Sequence, residues 1–556
     1  MINMGIDFGS TYTMVSVMEK GEPTVVQSSM NSYHYPSIAC YDREKKKYFF
    51  GNAARNKLGQ PDVIAYRGFK MLLAQETDRK LLKMHGYIGE NTPESITERF
   101  LDHVISESLK KLNEDKIGLL VVGAPECWFQ SLQMVDARGT LRKICQNICK
   151  NRDINHFELR SEPTDAAAFC VWKYEKKTGR DFNGKLMVID YGGGTLDTTL
   201  VGVEHIADKI QIKPEILGGV GENHDNEIGK AGIAYQEAVV RRAISDASNV
   251  SEDSIAIDKD FHKAVKQFED ALLAENEYVE EIFQEYNGVS DSSLKAENFT
   301  QVEYNGGYVK IDFAQMKTTY DKVIAPSLEK VLKESTAEMA PNEHPFLTLV
   351  GGFCNFYLVR NQIRNFFNLG SINKDIKMLS FTEGDREKAI AYGAGLLANK
   401  VLEVCRVAGF GIGMCAFYDG EEGKYFKRYA INYGQEYIPN KIYFAKDDND
   451  NIAGMVLTQA DKFLLNFSRK HEDGIPVTPK KEIAQRLKSA TQNVLFAVVG
   501  FSIDEAERIT IHIFKYDTGA SEDAYGTKIK CKKEIPLETF KESFNNILYI
   551  PGGDNG

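Results

Sequence analysis

The sequence contains no Cys-x-x-Cys pair among its nine cysteines, and its ten histidines show no ligand spacing beside them. A disulfide framework and a structural zinc site are therefore not expected. Cys145 and Cys149 stand one helical turn apart and read as buried thiols packing as small hydrophobes. No stretch approaches the roughly 20 apolar residues that span a bilayer. The start, MINMGIDFGS, lacks a basic segment, and Asp7 interrupts its apolar run, so a signal peptide is not expected either. Positive charge is also in deficit. With 68 Lys and Arg against 79 Asp and Glu, the net charge of -11 argues against nucleic-acid and membrane-surface partners, which are themselves anionic. These absences predict a reduced, soluble, cytoplasmic protein. What is present is ordinary globular composition, 43% hydrophobic and 26% charged, in 556 residues, too many for one core.

Internal repetition is the strongest positive signal. GIDFGSTYTMVSV (Gly5 to Val17) and VIDYGGGTLDTTLV (Val188 to Val201) each run as apolar stretch, Asp, aromatic, Gly, small residues including Thr, then a second apolar stretch. Both read as hairpins with a glycine-permitted turn. Further strand-like segments follow the first, EPTVVQS and YPSIACYD, and KIQIKPEILGG follows the second. Helical periodicity appears over Ile228 to Ala247, and strand-then-helix units appear at GLLVVGAPE and at FLTLVGGFCNFYLVRNQIRNFF. Two related α/β halves are predicted. From about Phe410 the texture becomes short apolar runs between turn signals, the pattern of an antiparallel β domain of about 150 residues. No Pro-rich or Ser-rich linker marks the boundary, which is placed at Glu403 to Gly409. The cluster KDDNDN at Lys446 to Asn451 lacks the glycine and terminal glutamate of an EF-hand and reads as a solvated hairpin tip.

The two glycine hairpins suit a polyphosphate. Successive backbone N–H groups in glycine turns converge on phosphate oxygens without side chains in the way, as Gly192, Gly193 and Gly194 permit. Ser10, Thr11 and Thr195 add hydroxyl donors. Asp7 and Asp190, at the loop entrances, suit a hydrated magnesium ion held through water.

Taken together, these segments resemble the nucleotide-binding domain of the seventy-kilodalton heat-shock chaperones, within the actin and sugar-kinase ATPase superfamily. GIDFGSTYTMVSV resembles the first phosphate loop, VIDYGGGTLDTTLV the second and LVGGFCNFYLV the adenosine motif, while SEPTDAAAFC and AIAYGAGLLA resemble the two connecting segments. VKIDFAQMKTTYDKVIAPSLEKVL is similar to the helix preceding the adenosine motif. The resemblance covers residues 2 to 400 and implies a duplicated actin-like (ribonuclease H-like) α/β ATPase domain over 1–403, with lobe I about 1–184, lobe II about 185–380 and a returning helix about 385–403. Over 404–556 it implies a β-sandwich-like domain similar to a lidless substrate-binding domain. By the same resemblance, Lys70, Glu162, Asp190, Thr195 and Asp197 are the expected catalytic residues. Gly9, Ser10, Thr11, Tyr12, Gly192, Gly193, Gly194, Thr195, Gly221, Glu222, Gly351, Gly352 and Phe353 are expected to bind ATP or ADP, with Mg2+ at Asp7 and Asp190. Slow ATP hydrolysis, an unfolded or extended polypeptide client and cochaperones are the implied function and partners.

The chain departs from that pattern in four places. Phe353 and Asn355 stand where the family has a Ser and an adenine-stacking Arg, and in this the chain looks like the divergent heat-shock protein twelve group. AVKQFEDALLAEN offers no match for the family's adenine-contacting Lys and Arg. Gln133 stands near the place of a switch arginine, and NKVLEVCRVAGFGIGM lacks the acidic, leucine-rich linker. Two other readings share the superfamily. A small-molecule kinase requires a carboxylate base beside an acceptor pocket, and an actin-like filament protein pellets with ATP.

Overall fold

The computed structural model describes residues 1–28, 30–74, 82–83, 86–126, 128, 137–206, 209–220, 231–286, 294, 297–337, 339, 344–367, 377–408, 410–417, 425–445, 455–456, 464–469, 475–479, 496–504, 509–515, 536–542 and 548–549. Gly221, Glu222, Gln133 and the Lys446–Asn451 cluster lie outside them. Two compact units result, one ending at Val404 and one beginning at Cys405. Among the described residues, no helix is long and apolar enough to cross a membrane.

The first unit is built on two sheets of matching topology. In lobe I, β1 (Ile2–Phe8), β2 (Tyr12–Glu19) and β3 (Glu22–Val25) form an antiparallel meander. β4 (Ile117–Ala124) pairs parallel to β1, and β5 (His156–Ser161) pairs parallel to β4. Lobe II repeats the scheme. β6 (Gly184–Tyr191), β7 (Leu196–Ile206) and β8 (Lys209–Val220) form the meander, with β9 (Phe346–Val350) parallel to β6 and β10 (Lys377–Met378) parallel to β9. Crossover helices bury the strands' apolar runs, as parallel strands require. The lobe I core gathers Ile6, Phe8, Val15 and Val122 with Phe100 and Ile144, whose helices are Pro93–Leu112 and Ala137–Asn151. Cys145 and Cys149 are buried there, and burial pushes the Cys149 thiol up to about 11, so both act as hydrophobes.

Six helices concern the site: α1 (Phe69–Leu72), α2 (Glu162–Thr178), α3 (Gly232–Ser248), α4 (Lys259–Ala274), α5 (Tyr357–Phe366) and α6 (Glu383–Ala398). α2 starts with Pro163 in its first turn and stops at Gly179, whose φ of 63° only glycine adopts cheaply. α6 opens on Thr382, whose side chain accepts from the Asp385 N–H. The returning helix expected over about 385–403 thus ends at Ala398. Lys400 turns left-handed (φ 56°), and Leu402–Val404 then adds a strand parallel to β8.

From Ala389 onward α6 is apolar nearly all round because it packs on both lobes. Ala394 and Ala398 meet Val121 of β4, Ala391 meets Met14 of β2, and Ile390 and Leu396 join the lobe II cluster with Val188 and Ala167. Its small residues let backbones touch: a Cβ on Gly393 would lie 1.7 Å from the Asp165 carbonyl oxygen of α2, and one on Gly5 would lie 2.3 Å from the Gly395 nitrogen. Elsewhere in lobe II, a helix over Phe313–Thr319 passes through a π turn at Tyr320–Ile324 into Ala325–Ala337. Pro326, which has no N–H to donate back one turn, accounts for the break.

The second unit holds two antiparallel sheets. One runs Tyr425–Ile431, Phe410–Phe417, Leu464–Arg469, Ile475–Pro479, Leu548–Tyr549. The other runs Tyr443–Phe444, Phe496–Ile503, Ile509–Lys515, Pro536–Glu542, with Met455–Val456 also on Phe496–Ile503.

The helix crossing generates a prediction. Gly393→Ala forces a methyl into the Asp165 backbone and should destabilise the first unit by about 1–3 kcal/mol, as overpacked cores do. Ala394→Gly, one residue on, should cost no more than the roughly 1 kcal/mol of a glycine inside a helix. Equal losses in urea melts would contradict the close approach.

Candidate functional site

Two hairpin tips face each other across the lobes. Gly9–Thr11 joins β1 to β2, and Gly192–Thr195 joins β6 to β7. The tips touch: a Cβ on Gly193 would lie 2.0 Å from Thr11 Oγ1, and one on Gly194 would lie 2.2 Å from Ser10 Oγ. Each loop is held from behind through its carbonyls. Ser37 donates its hydroxyl to Gly9 O at 2.6 Å and its N–H to Thr11 O at 2.8 Å. The first amides of α3, Gly232 and Ile233, donate to the carbonyls of Gly192 (3.2 Å) and Gly193 (2.7 Å).

Acidic groups collect beneath the loops. Asp7 sits near the end of β1 and Asp190 near the end of β6, opposite Asp197 in the β6–β7 register. Glu162 opens α2, and its Oε1 accepts from Lys70 Nζ of α1 at 2.6 Å, with both side chains almost fully buried. Lys70 is therefore no solvated surface lysine, and Glu162 is more than a helix-end carboxylate. Glu162, Asp190 and Asp197 offer ligand atoms within 4.8 Å of one another. Asp7 lines the same cleft.

The electrostatics follow from burial. Burial pushes the Asp7 carboxyl up to about 8, and the Glu162 charge adds to the push while Lys70 opposes it. Asp190 is driven well above the carboxylate range by burial, then by Glu162, Asp197 and Asp7. Burial alone would lower Lys70, but Glu162, Asp7 and Asp197 hold it above its ordinary value. Four carboxylates facing one ammonium carry excess negative charge that a divalent cation offsets, and oxygen ligands of this kind suit magnesium.

The cleft over this floor is about 430 Å³. Gly351, Gly352 and Phe353 follow β9 directly, and Gly351, at φ 83°, passes so close that a Cβ would meet Asp190 Oδ1 at 2.6 Å. Phe353 stacks on Phe356 (5.6 Å, 9°) and meets Tyr191 edge-on (5.0 Å, 82°). Leu272, Leu273 and Asn276, at and just beyond the end of α4, also line the cleft, with Leu273 61% exposed. The cleft therefore has charged, loop-built and apolar portions.

Residue patterning alone did not single out the contacts that join the lobes across this cleft. Tyr12 donates its hydroxyl to Glu269 of α4 at 3.1 Å and accepts from Arg55 at 3.1 Å, while Arg55 and Arg67 both pair with Glu269. Asn355 accepts from Arg386 Nε at 2.9 Å, so it is engaged within the protein. The signal for Glu269 was the acidic side chain in an otherwise amphipathic FEDALL stretch, which helical spacing by itself assigns to a solvated face.

Residues 3–79, which include the first hairpin and Lys70, match the family model described as Hsp70 protein. Over 373 residues, 65% of this chain, the sequence is 25% identical to the chaperone protein DnaK of Ureaplasma urealyticum serovar 10. These matches support the Hsp70 family. The matched stretch covers 54% of that DnaK, so the chain spans about half the length of the relative. An Hsp70 relationship agrees with the paired sheets and with a mixed α/β first unit.

The floor charge generates a pH prediction. Between about pH 4 and 8 the folded protein holds a proton on Asp7 that the unfolded chain, with the ordinary value of 3.8, has lost. A folded state that binds more protons loses stability as pH rises. In divalent-free buffer the melting temperature should fall from pH 5 to 8, and Asp7→Asn should flatten that fall. A wild-type profile that rises over this window would contradict the assignment.

Proposed function

We propose that this protein binds ATP and ADP with Mg2+ in the cleft between its lobes and hydrolyses ATP slowly, and that nucleotide state governs polypeptide binding by the second unit in the cytoplasm. The observation that carries the reading is the convergence of two touching glycine hairpins over a buried Lys70–Glu162 pair and three further carboxylates. The Hsp70 match and the DnaK relative support it.

Each group has a physical part to play. Gly9–Tyr12 and Gly192–Thr195 bind the phosphates through backbone and hydroxyl donors. The residues present fit magnesium, with Asp7 and Asp190 holding its water shell and Glu162 and Asp197 adjoining. Bound there, the ion offsets phosphate charge and orients the terminal phosphoryl group. Lys70, kept charged by its carboxylate neighbours, positions water and stabilises charge developing on that group. Glu162 holds Lys70 in place, and Asp197 helps to orient water. Phe353 presents its ring to the base where a guanidinium is absent.

Calorimetry separates these parts. Wild type should bind Mg-ATP and, more weakly, Mg-tripolyphosphate. Phe353→Ala should weaken ATP about tenfold, the worth of one base-aromatic stack, and leave tripolyphosphate nearly unchanged. Absence of any magnesium-dependent nucleotide binding would overturn the reading.

For the chemistry, Lys70→Ala should slow single-turnover hydrolysis by about 100- to 1,000-fold, as loss of a preorganised electrostatic group does. ATP affinity should stay within a few fold, which also certifies the fold of the variant. Unchanged hydrolysis would remove Lys70 from the mechanism.

For the partner, the anisotropy of labelled unfolded peptides should differ between Mg-ATP and Mg-ADP, since a nucleotide controls a client only through differential affinity between states. No binding in either condition would point to a different partner for the second unit.

A further inference from the structure

The π turn at Tyr320–Ile324 lies beneath the aromatic wall of the cleft. Phe353, Phe356 and Tyr235 of α3 line that wall. Phe353 is half-buried, while Phe356 and Tyr235 are buried behind it, and Tyr235 packs on the two phenylalanine rings at 5.6 and 5.1 Å. Tyr320, the first residue of the π turn, is buried against this group, edge-on to Phe356 at 6.1 Å and to Tyr235 at 6.5 Å. Apolar packing alone would accept a phenylalanine there, so the hydroxyl has its own role. It donates to Gln362 Oε1 at 2.6 Å, with Leu358 O a second acceptor at 3.1 Å. Both acceptors belong to α5, which starts at Tyr357, the residue after Phe356. The same Gln362 amide donates its Nε2 to Ala325 O at 2.9 Å. Tyr320 and Ala325 are the two ends of the π turn, joined by the bond from the Ala325 N–H to the Tyr320 carbonyl. One side-chain amide therefore spans the turn and ties it to the helix that continues from the aromatic wall. A fully paired buried polar network fixes one arrangement of the side chains around it. Single π turns inside helices recur at functional sites.

We infer that Tyr320 and Gln362 are positioning residues for the nucleobase: through the start of α5 they set the height and tilt of the Phe353–Phe356 stack in the cleft. Neither lines the cleft itself. The inference rests on the reading of Phe353 as the ring that meets the base. The phosphate end is held by other groups, the α3 amides behind Gly192 and Gly193 and the Lys70–Glu162 pair. A fault in the π-turn tie is therefore felt at the base and not at the phosphates.

Calorimetry of the full chain with Mg-ATP and Mg-tripolyphosphate tests this. Tyr320→Phe keeps the ring and removes the hydroxyl. Gln362→Met, at a half-buried position, removes the amide and keeps a good helix former. Each should weaken Mg-ATP by about threefold to fivefold, the worth of one buried hydrogen bond, and leave Mg-tripolyphosphate unchanged. Because the two side chains share one bond, their losses should be less than additive in the double variant. In a Phe353→Ala background neither should lower ATP affinity further. Equal weakening of both ligands, or a loss of ATP affinity that persists undiminished without the Phe353 ring, would mean a merely structural role and overturn the inference. Unaltered ATP affinity in both variants, while Phe353→Ala alone weakens it, would overturn it too and leave the base reading standing. ATP affinity indifferent to Phe353→Ala as well would strike the placing of the base on Phe353, and the positioning role with it.

Discussion

Everything at the cleft depends on keeping four carboxylates and one ammonium together out of water. Left to itself such a cluster disperses or takes up protons, and Asp7 and Asp190 show that second response in their raised ionisation. Only a rigid scaffold holds like charges at this spacing. The two meanders provide it. Asp7 and Asp190 come from the inner strands of separate sheets, Glu162 from a helix start and Lys70 from a four-residue helix behind a left-handed Gly68. Each acid is thus fixed by an element whose own stability lies in an apolar core away from the charge.

Those elements meet at one joint. α2 and α6 cross with backbone against backbone, and α6 packs on both sheets. At that crossing Ala and Gly let the backbones close up, while Phe169 of α2 packs on Tyr392 of α6 beside it. Another connection across the cleft is polar: Tyr12, Arg55 and Arg67 converge on Glu269. A small-residue crossing at one end and an ionic clasp at the other thus bound the cleft between them.

The hairpins and their duplication were legible because both needs are local. An aspartate and glycines interrupting an apolar run break a strand in a way its packing does not require, and the pattern occurs twice. The sheets show the duplication directly, through equivalent strand orders around β1 and β6. Phe353 could be placed beside the glycine pair for the same reason, as could the buried thiols of Cys145 and Cys149. The Tyr12–Glu269 contact was not legible, since it joins residues 257 apart and neither carries a local anomaly. Asp165 was visible as an acid among alanines, but its full burial depends on what surrounds it in space. The end of the returning helix was overrun because Asn399 and Lys400 are compatible with a helix, and the strand at Leu402–Val404 is decided by its partner β8.

The π turn at Tyr320–Ile324 bears on how the chain tolerates changes of length. A π turn accommodates one residue more than the α-helix it interrupts, while the flanking helices keep their phase. Phe313 and Met316 before it and Leu328, Val331 and Leu332 after it face one core. A homologue shorter by one residue within 320–324 and without Pro326 would run as unbroken α-helix with the same side chains inward. The same deletion two turns later would rotate everything beyond it by about 100°, carrying Ser335 off the buried face. A one-residue change of length in this helix is therefore best accommodated at that turn, where the flanking side chains keep their phase.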